Sequence, residues 1–485
     1  MRRAHLAFAF LPGLALSGMP RAEEAGPPPV RATVRLWLDT EHPLPALAAA
    51  SAAVAHEPRS AAAWAGLAGA LFRNADFEAA ETAARRALAL DPDDPDAHVA
   101  LARCLETAGE HAGAREELEK AVQAEPQHAA ALRLLAGKLD LNADRARAIE
   151  LTRRFLEVNP PGQELFLEHA RMILKILAAL GDTPLAQRPP HAERPERITL
   201  PLRVSERGLA VELEIGGVKR LCGLDTGEES LTLTAETAKG LGLKALSPLP
   251  AVTATGIERM QIVLVPKIEA GGVRVSNVLA AVGVRDLVGP GFFDGCRVKL
   301  DFSGRQMVLT RQEPGAAPDP KDLLGAPEGA ERCRFRALGK LIWVPVSCPA
   351  APAPLRARPA WGVLDSGCEY PAGVTPRYLE ALRCVKGRGP IALPFRAELG
   401  GAAREEGNTE VLWAFPDFAL GFLGTEVKAD GAVAAGSFAA VAKSCEAEPD
   451  VLIGWPAMWQ ALRSLEVDFQ RGVLTFEPRQ GRARR

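Results

Sequence analysis

Histidine runs out early in this chain. The eight imidazoles lie at positions 5, 42, 56, 98, 111, 128, 169 and 191, so nothing beyond His191 offers an imidazole base or ligand. A Ser/His/Asp triad, a Cys/His pair or an H-E-x-x-H zinc site therefore cannot be built wholly within residues 192–485. Cysteine is sparse as well. Of eight, Cys104 sits in a helical pattern and the others stand at 222, 296, 333, 348, 368, 384 and 445, with no C-x-x-C pair. Metal clustering is disfavoured, and no metal or cofactor is expected. One or two disulfides remain open, with no pairing deducible from spacing, and the odd number in the second half implies a free thiol. Excess charge of one sign is also missing: a net charge of −2 and a pI near 6.5 give no field to recruit nucleic acid. Past the N-terminus no stretch approaches ~20 unbroken apolar residues, so no transmembrane anchor is expected.

What is present is globular material, 47% hydrophobic and 24% charged over 485 residues, enough for two to four domains. The chain opens with Arg2 and Arg3, an apolar stretch from Ala4 to Leu16 and small residues before Glu23 and Glu24. This pattern predicts a secretory signal peptide over residues 1–22, with the mature start after Ser17 or Ala22, and hence an exported protein, periplasmic or extracellular.

Prolines at 58, 92, 126 and 160 recur at one constant step, and Leu67, Leu101 and Leu135 keep the same step. Each unit reads as a helix (62–73, 97–108, 129–141), a turn and a second Ala-rich helix, as over 77–90 and 112–124. The segment 42–181 resembles a tetratricopeptide-repeat array, with three repeats over about 60–160, a partial helix before Pro58 and a capping helix at about 163–180. Stacking is what stabilises such units. The resemblance implies a groove that docks a protein or peptide, while a spacer or a packing partner for the next domain stays open. No cluster of basic residues marks a carboxylate clamp. A Pro-rich stretch, 182–197, reads as a linker.

After Ile198 the period changes to strand alternation, and one pattern occurs twice. The first copy, 198–312, runs from GLAVELEIGG into Leu224-Asp225-Thr226-Gly227, then through a hairpin-like AVTATGIERMQIVLV to Asp286-Leu287-Val288-Gly289, and closes with VKLDFSGRQMVLT. The second, 333–480 after an inter-lobe linker 313–332, runs from GKLIWVPVSC into Val363-Leu364-Asp365-Ser366-Gly367, reaches Asp450-Val451-Leu452-Ile453-Gly454 and closes with LEVDFQRGVLTFEP. The closing Asp301 and Asp468 are further apart in the chain than Asp225 and Asp365, so the second copy carries the longer insertions.

Each copy resembles one lobe of a retropepsin-like aspartic protease, and the two together resemble a single-chain, pepsin-type pair. The expected architecture is thus multidomain, an all-α tetratricopeptide solenoid followed by an all-β two-lobed acid-protease-like fold. The resemblance implies Asp225 and Asp365 as a catalytic dyad that shares a proton and activates water on a peptide or protein substrate. It implies that Thr226 and Ser366 tie the two loops together and that Gly227 and Gly367 allow close backbone approach. Thr255, Gly256 and Ile257 would form a flap within the Thr253–Met260 hairpin, and Leu287–Gly289 and Leu452–Gly454 would brace the loops. With both lobes in one chain a monomer suffices. Two positions depart from the family: Glu228 and Cys368 follow the loops where a small residue is usual, and the second flap has no clear place within 385–449. The leading expectation is an exported aspartic endopeptidase. The alternatives are an inactive protease-like peptide-binding protein and a scaffold that uses only its repeats.

Overall fold

The computed structural model describes residues 43–205, 208–228, 230–253, 256–313, 326–347, 360–368, 370, 372–375, 391–399, 408–414, 419–428, 432–435 and 446–479. The proposed signal segment, most of the inter-lobe linker and Cys348, Cys384 and Cys445 lie outside them. Cys104, Cys222, Cys296, Cys333 and Cys368 stand as thiols. No described helix is long and apolar enough to cross a membrane.

The first part is a helical array: α1 (Pro43–His56), α2 (Ala61–Arg73), α3 (Phe77–Leu90), α4 (Pro95–Thr107), α5 (His111–Ala124), α6 (Ala129–Lys138), α7 (Arg145–Val158) and α8 (Glu164–Leu180). The proline step reappears at the helix starts. Ser60, Asp94 and His128 each accept a hydrogen bond from the backbone N–H three residues on, at 3.2, 3.0 and 3.2 Å. Such a cap is worth about 1 kcal/mol, because it satisfies an N–H that the helix itself leaves unpaired. Buried alanines (Ala63, Ala80, Ala84, Ala87, Ala97) let the antiparallel helices approach closely, and Leu118, Leu132, Leu135 and Phe155 fill the space between pairs.

The stretch 182–197 is laced to the first lobe. Gln187 and Ser276 exchange backbone hydrogen bonds at 2.9 and 2.8 Å, and Arg188 donates to the Phe292 carbonyl at 2.9 Å. Its prolines allow no more than one short helical turn, His191–Glu193, and the segment satisfies much of its remaining backbone as a strap along that lobe.

Beyond the strap lie three sheets. Among the described residues, the first lobe has an eight-stranded sheet and the second a ten-stranded one, and a six-stranded sheet joins them. At the centre of the joining sheet the two closing hairpins lie edge to edge, with Val298 opposite Val467 and Leu300 opposite Leu465, and Arg197–Pro201 and Glu331–Arg334 flank them. The repeated x-Asp-Phe has a local cause. Asp301 accepts the Gly304 N–H at 2.7 Å and Asp468 accepts the Arg471 N–H at 3.0 Å, so each carboxylate holds its own hairpin turn. One apolar core runs through both lobes and this sheet.

The array does not stand apart from the lobes. Phe72 and Phe77 pack with Trp343, Trp361 and Val363 of the second lobe, and Phe77 meets both indoles edge-on, centroids 5.9 and 5.4 Å away. Here the structure corrects the reading of the repeats as lacking a basic cluster. Arg103 of α4 and Arg133 of α6 both reach the carboxylate of Glu446, at 3.2 and 2.7 Å. Their spacing in the chain is out of step with the proline repeat, so only the superhelix brings them together.

Candidate active site

Each Asp-Thr/Ser-Gly loop follows a strand whose last apolar residue, Leu224 or Leu364, is buried. Val218–Leu224 pairs in parallel with Leu287–Val288, and the Asp225 N–H donates to the Val288 carbonyl at 3.1 Å. Ala360–Asp365 pairs in parallel with Val451–Gly454, which sets Asp365 opposite Gly454. Both braces support the loops from behind, and their buried Leu287, Val288, Val451 and Ile453 explain the near-continuous apolar runs. Gly454 has no room for a side chain: a Cβ there would strike the carbonyls of Tyr370 and Cys368.

The loops meet face to face. Thr226 Oγ1 donates to the Leu364 carbonyl at 2.7 Å, and Ser366 Oγ donates to the Leu224 carbonyl at 2.9 Å. Each hydroxyl oxygen also accepts the other residue's backbone N–H, at 2.9 Å in both directions. Four hydrogen bonds thus cross the lobe boundary at this one pair of residues. Gly227 and Gly367 donate their N–H groups to Asp225 Oδ1 and Asp365 Oδ1 at 2.8 and 2.9 Å. A Cβ on Gly367 would run into the Asp225 carboxyl, and one on Gly227 would come within 3.5 Å of Asp365 Oδ1.

The carboxyls of Asp225 and Asp365 thus face each other across the lobe boundary, each close to the glycine of the other loop. Burial raises Asp365 well above the ordinary carboxylate range, and the neighbouring Asp225 charge adds to the rise. Burial raises Asp225 too, and the Gly227 N–H and the charge of Arg285 offset only part of that rise. Both carboxyls are raised, so the environment favours retention of a proton by the pair.

Glu228 accepts a hydrogen bond from Thr232 Oγ1 at 2.7 Å, and its N–H donates to the Asp225 carbonyl at 3.2 Å. Its carboxylate is tied within its own loop. Cys368 directs its thiol to the Tyr370 carbonyl at 3.5 Å and accepts the Trp455 N–H on its own carbonyl at 3.3 Å. Of the flap residues, Thr255 lies outside the described residues, while Gly256 and Ile257 open the second strand of the hairpin Ala245–Thr253/Gly256–Ala270. Strand order also locates the matching second-lobe hairpin, Ile391–Leu399 with Asn408–Ala414, whose place in its sheet corresponds to that of the first-lobe hairpin.

Two features escaped the sequence reading. Arg285 acts on Asp225 through space, and the second copy has Pro449 at the matching position before its brace, so duplication gave no hint. Asp286 and Asp450, the acids just before the braces, are anchors: Asp286 accepts the Thr234 N–H at 2.6 Å and Asp450 accepts the Trp361 N–H at 3.0 Å. Their shared position in both copies was the available signal.

No group of three or more His, Cys, Asp or Glu among the described residues could hold a metal ion. The arrangement can do proton-transfer chemistry with two facing carboxyls of raised pKa.

Comparison with protein families agrees with this layout. Residues 44–104 and 74–139 match the tetratricopeptide repeat model, and residues 211–293 match the aspartyl protease model. The chain carries tetratricopeptide repeats followed by an aspartyl protease domain. Among solved structures it is similar to MamA protein, at 25% identity over 27% of this chain and 71% of that one, with a TM-score of 0.22. It is also similar to an aspartic proteinase from Irpex lacteus, at 10% identity over 58% of this chain and 97% of that one, TM-score 0.36. A retropepsin-like aspartic protease from Rickettsia conorii is similar at 21% identity over 24% of this chain and 90% of that one, TM-score 0.20. No curated protein matches the chain.

Proposed function

We propose that the protein is an exported aspartic endopeptidase in which Asp225 and Asp365 hydrolyse peptide bonds through an activated water. The observation that carries this reading is the Thr226/Ser366 exchange, which sets the two loops face to face so closely that a Cβ on Gly367 would meet the Asp225 carboxyl and one on Gly227 would come within 3.5 Å of Asp365 Oδ1. Asp225, ionised, takes a proton from the water as it attacks the scissile carbonyl carbon. Asp365, protonated, donates to the carbonyl oxygen. As the C–N bond of the tetrahedral gem-diol breaks, the proton taken up by Asp225 passes to the departing amine and a hydroxyl proton of the gem-diol returns to Asp365, which restores the pair and leaves the carboxylic acid. The Gly227 and Gly367 N–H groups each hold one carboxyl oxygen, which fixes the rotamers.

The thiol of Cys368, three residues beyond Asp365, makes a covalent alternative testable. Peptides incubated with the full chain and hydroxylamine should yield ordinary hydrolysis products, and Cys368→Ala should still cleave. Accumulated hydroxamate would reveal an acyl-enzyme and overturn the water mechanism. Export rests on the basic and apolar N-terminal segment, and a processed N-terminus after Ser17 or Ala22 would support it. Because both carboxyls come from one chain, the active unit is a monomer, and specific activity should hold on dilution. Any partner that docks on the repeats must use surface that the array does not spend on its own lobes.

A further inference from the structure

The helical array touches both lobes. Along α8, Glu168, Met172, Ile176 and Leu180 are each four residues apart and form one stripe. That stripe lies on the first-lobe hairpin proposed above as the flap. Glu168 pairs with Arg259 at 2.5 Å, Met172 Sδ accepts from Ser247 Oγ at 3.5 Å, and Ile176 and Leu180 bury themselves with Ile262, Leu249 and Leu264. Arg259 lies opposite Pro250, three pairs from the end of the hairpin, so the contact reaches far out along it.

The opposite side of the same helix is tied to the other lobe. Phe166, two residues from Glu168, lies under the Arg133 guanidinium at 4.0 Å, and Arg133 holds Glu446. Arg103, stacked on Phe72 at 4.3 Å, holds the same carboxylate. Shortly after Glu446 the chain enters Asp450 and then the strand that sets Asp365 in place.

We propose that the array is an internal clamp: Arg103 and Arg133 grip Glu446 of one lobe, while Glu168, Met172 and Ile176 of α8 act as positioning residues for the flap of the other. The first helices of its pairs thus recognise a segment of the same chain. This rests on the protease reading for its effect on catalysis, but the mechanical claim stands apart from it and is read separately.

The test uses the full chain, with hydrogen exchange followed by mass spectrometry and, in parallel, peptide cleavage. Glu168→Lys places two positive charges together at an ion pair whose Arg259 is exposed, and leaves the buried Ile176 and Leu180 in place. Exchange over residues 256–264 should rise about threefold and KM should rise by a similar factor with kcat little changed. Adding Arg259→Glu, which restores the pair with reversed sign, should return both to the parent values. Glu446→Gln, in the other lobe, should raise exchange in the same hairpin about threefold. Flap exchange that ignores Glu446→Gln would overturn the clamp, as would a Glu168→Lys defect that the swap fails to rescue. Should the parent chain cleave nothing, the exchange results alone decide the clamp and the protease reading fails separately.

Discussion

Thr226 and Ser366, one from each lobe, exchange backbone-to-hydroxyl hydrogen bonds of 2.9 Å in both directions, and each hydroxyl then donates to the carbonyl of the residue before the other lobe's aspartate. This exchange fixes the distance between the carboxyls without any group that could compete for their proton. Thr226→Val removes one hydroxyl and strands the Ser366 N–H and the Leu364 carbonyl. Chemical denaturation should show a loss of about 1–3 kcal/mol, with a fall in kcat, while Thr226→Ser should stay near the parent.

The pH dependence of cleavage follows from the unequal carboxyls. Activity needs Asp225 ionised and Asp365 protonated, so the profile should be a bell whose two limbs belong to the pair. Burial and the Asp225 charge raise Asp365 to about 8, so the alkaline limb should lie well above the range of an ordinary carboxylate. Arg285→Met removes the cation that favours ionised Asp225, and should move the acidic limb upward.

The same shift has an opposite consequence for stability. A carboxyl whose folded pKa is raised stabilises the fold fully below its unfolded pKa, and that contribution is lost as pH rises through the folded value. Asp365→Asn should therefore be inactive yet more stable than the parent at pH 7, by about 1–3 kcal/mol, with the difference vanishing below about pH 4. Thermal denaturation at the two pH values checks this.

Glu446 titrates the other way. Burial pushes it up, but Arg103 and Arg133 outweigh that and hold it at about 2. Its stabilising contribution is present above the ordinary glutamate value and is lost as pH falls toward 2. Glu446→Gln should cost about 1–3 kcal/mol at neutral pH and flatten the acid dependence below about pH 4, as measured by denaturation against pH.

Gly367 tests the closeness of the loops. A Cβ there meets the Asp225 carboxyl, so Gly367→Ala should abolish cleavage while the array and the joining sheet persist by circular dichroism.

Much of this was legible in the residues because local rules fix it. The proline step at 58, 92, 126 and 160 marks helix boundaries, and the caps Ser60, Asp94 and His128 share that step. The duplicated Asp-Thr/Ser-Gly loops, their apolar braces and the closing hairpins are likewise short-range patterns. What escaped depends on distant segments meeting. Val298 opposite Val467 joins the closing hairpins of the two lobes, and nothing in either hairpin names its partner. Arg103 and Arg133 converge only through the twist of the array, and Glu446 comes to them from the far lobe. The strap over 182–197 looked like a linker because proline composition is the same whether a segment is free or laced down.

The most direct measurement is cleavage of a peptide library by the mature full chain across about pH 3–8, beside Asp225→Asn and Asp365→Asn variants shown to be folded by circular dichroism. The account predicts cleavage by the parent and none by either variant. Equal cleavage by parent and variants, or none by a folded parent that still binds peptides, would contradict it.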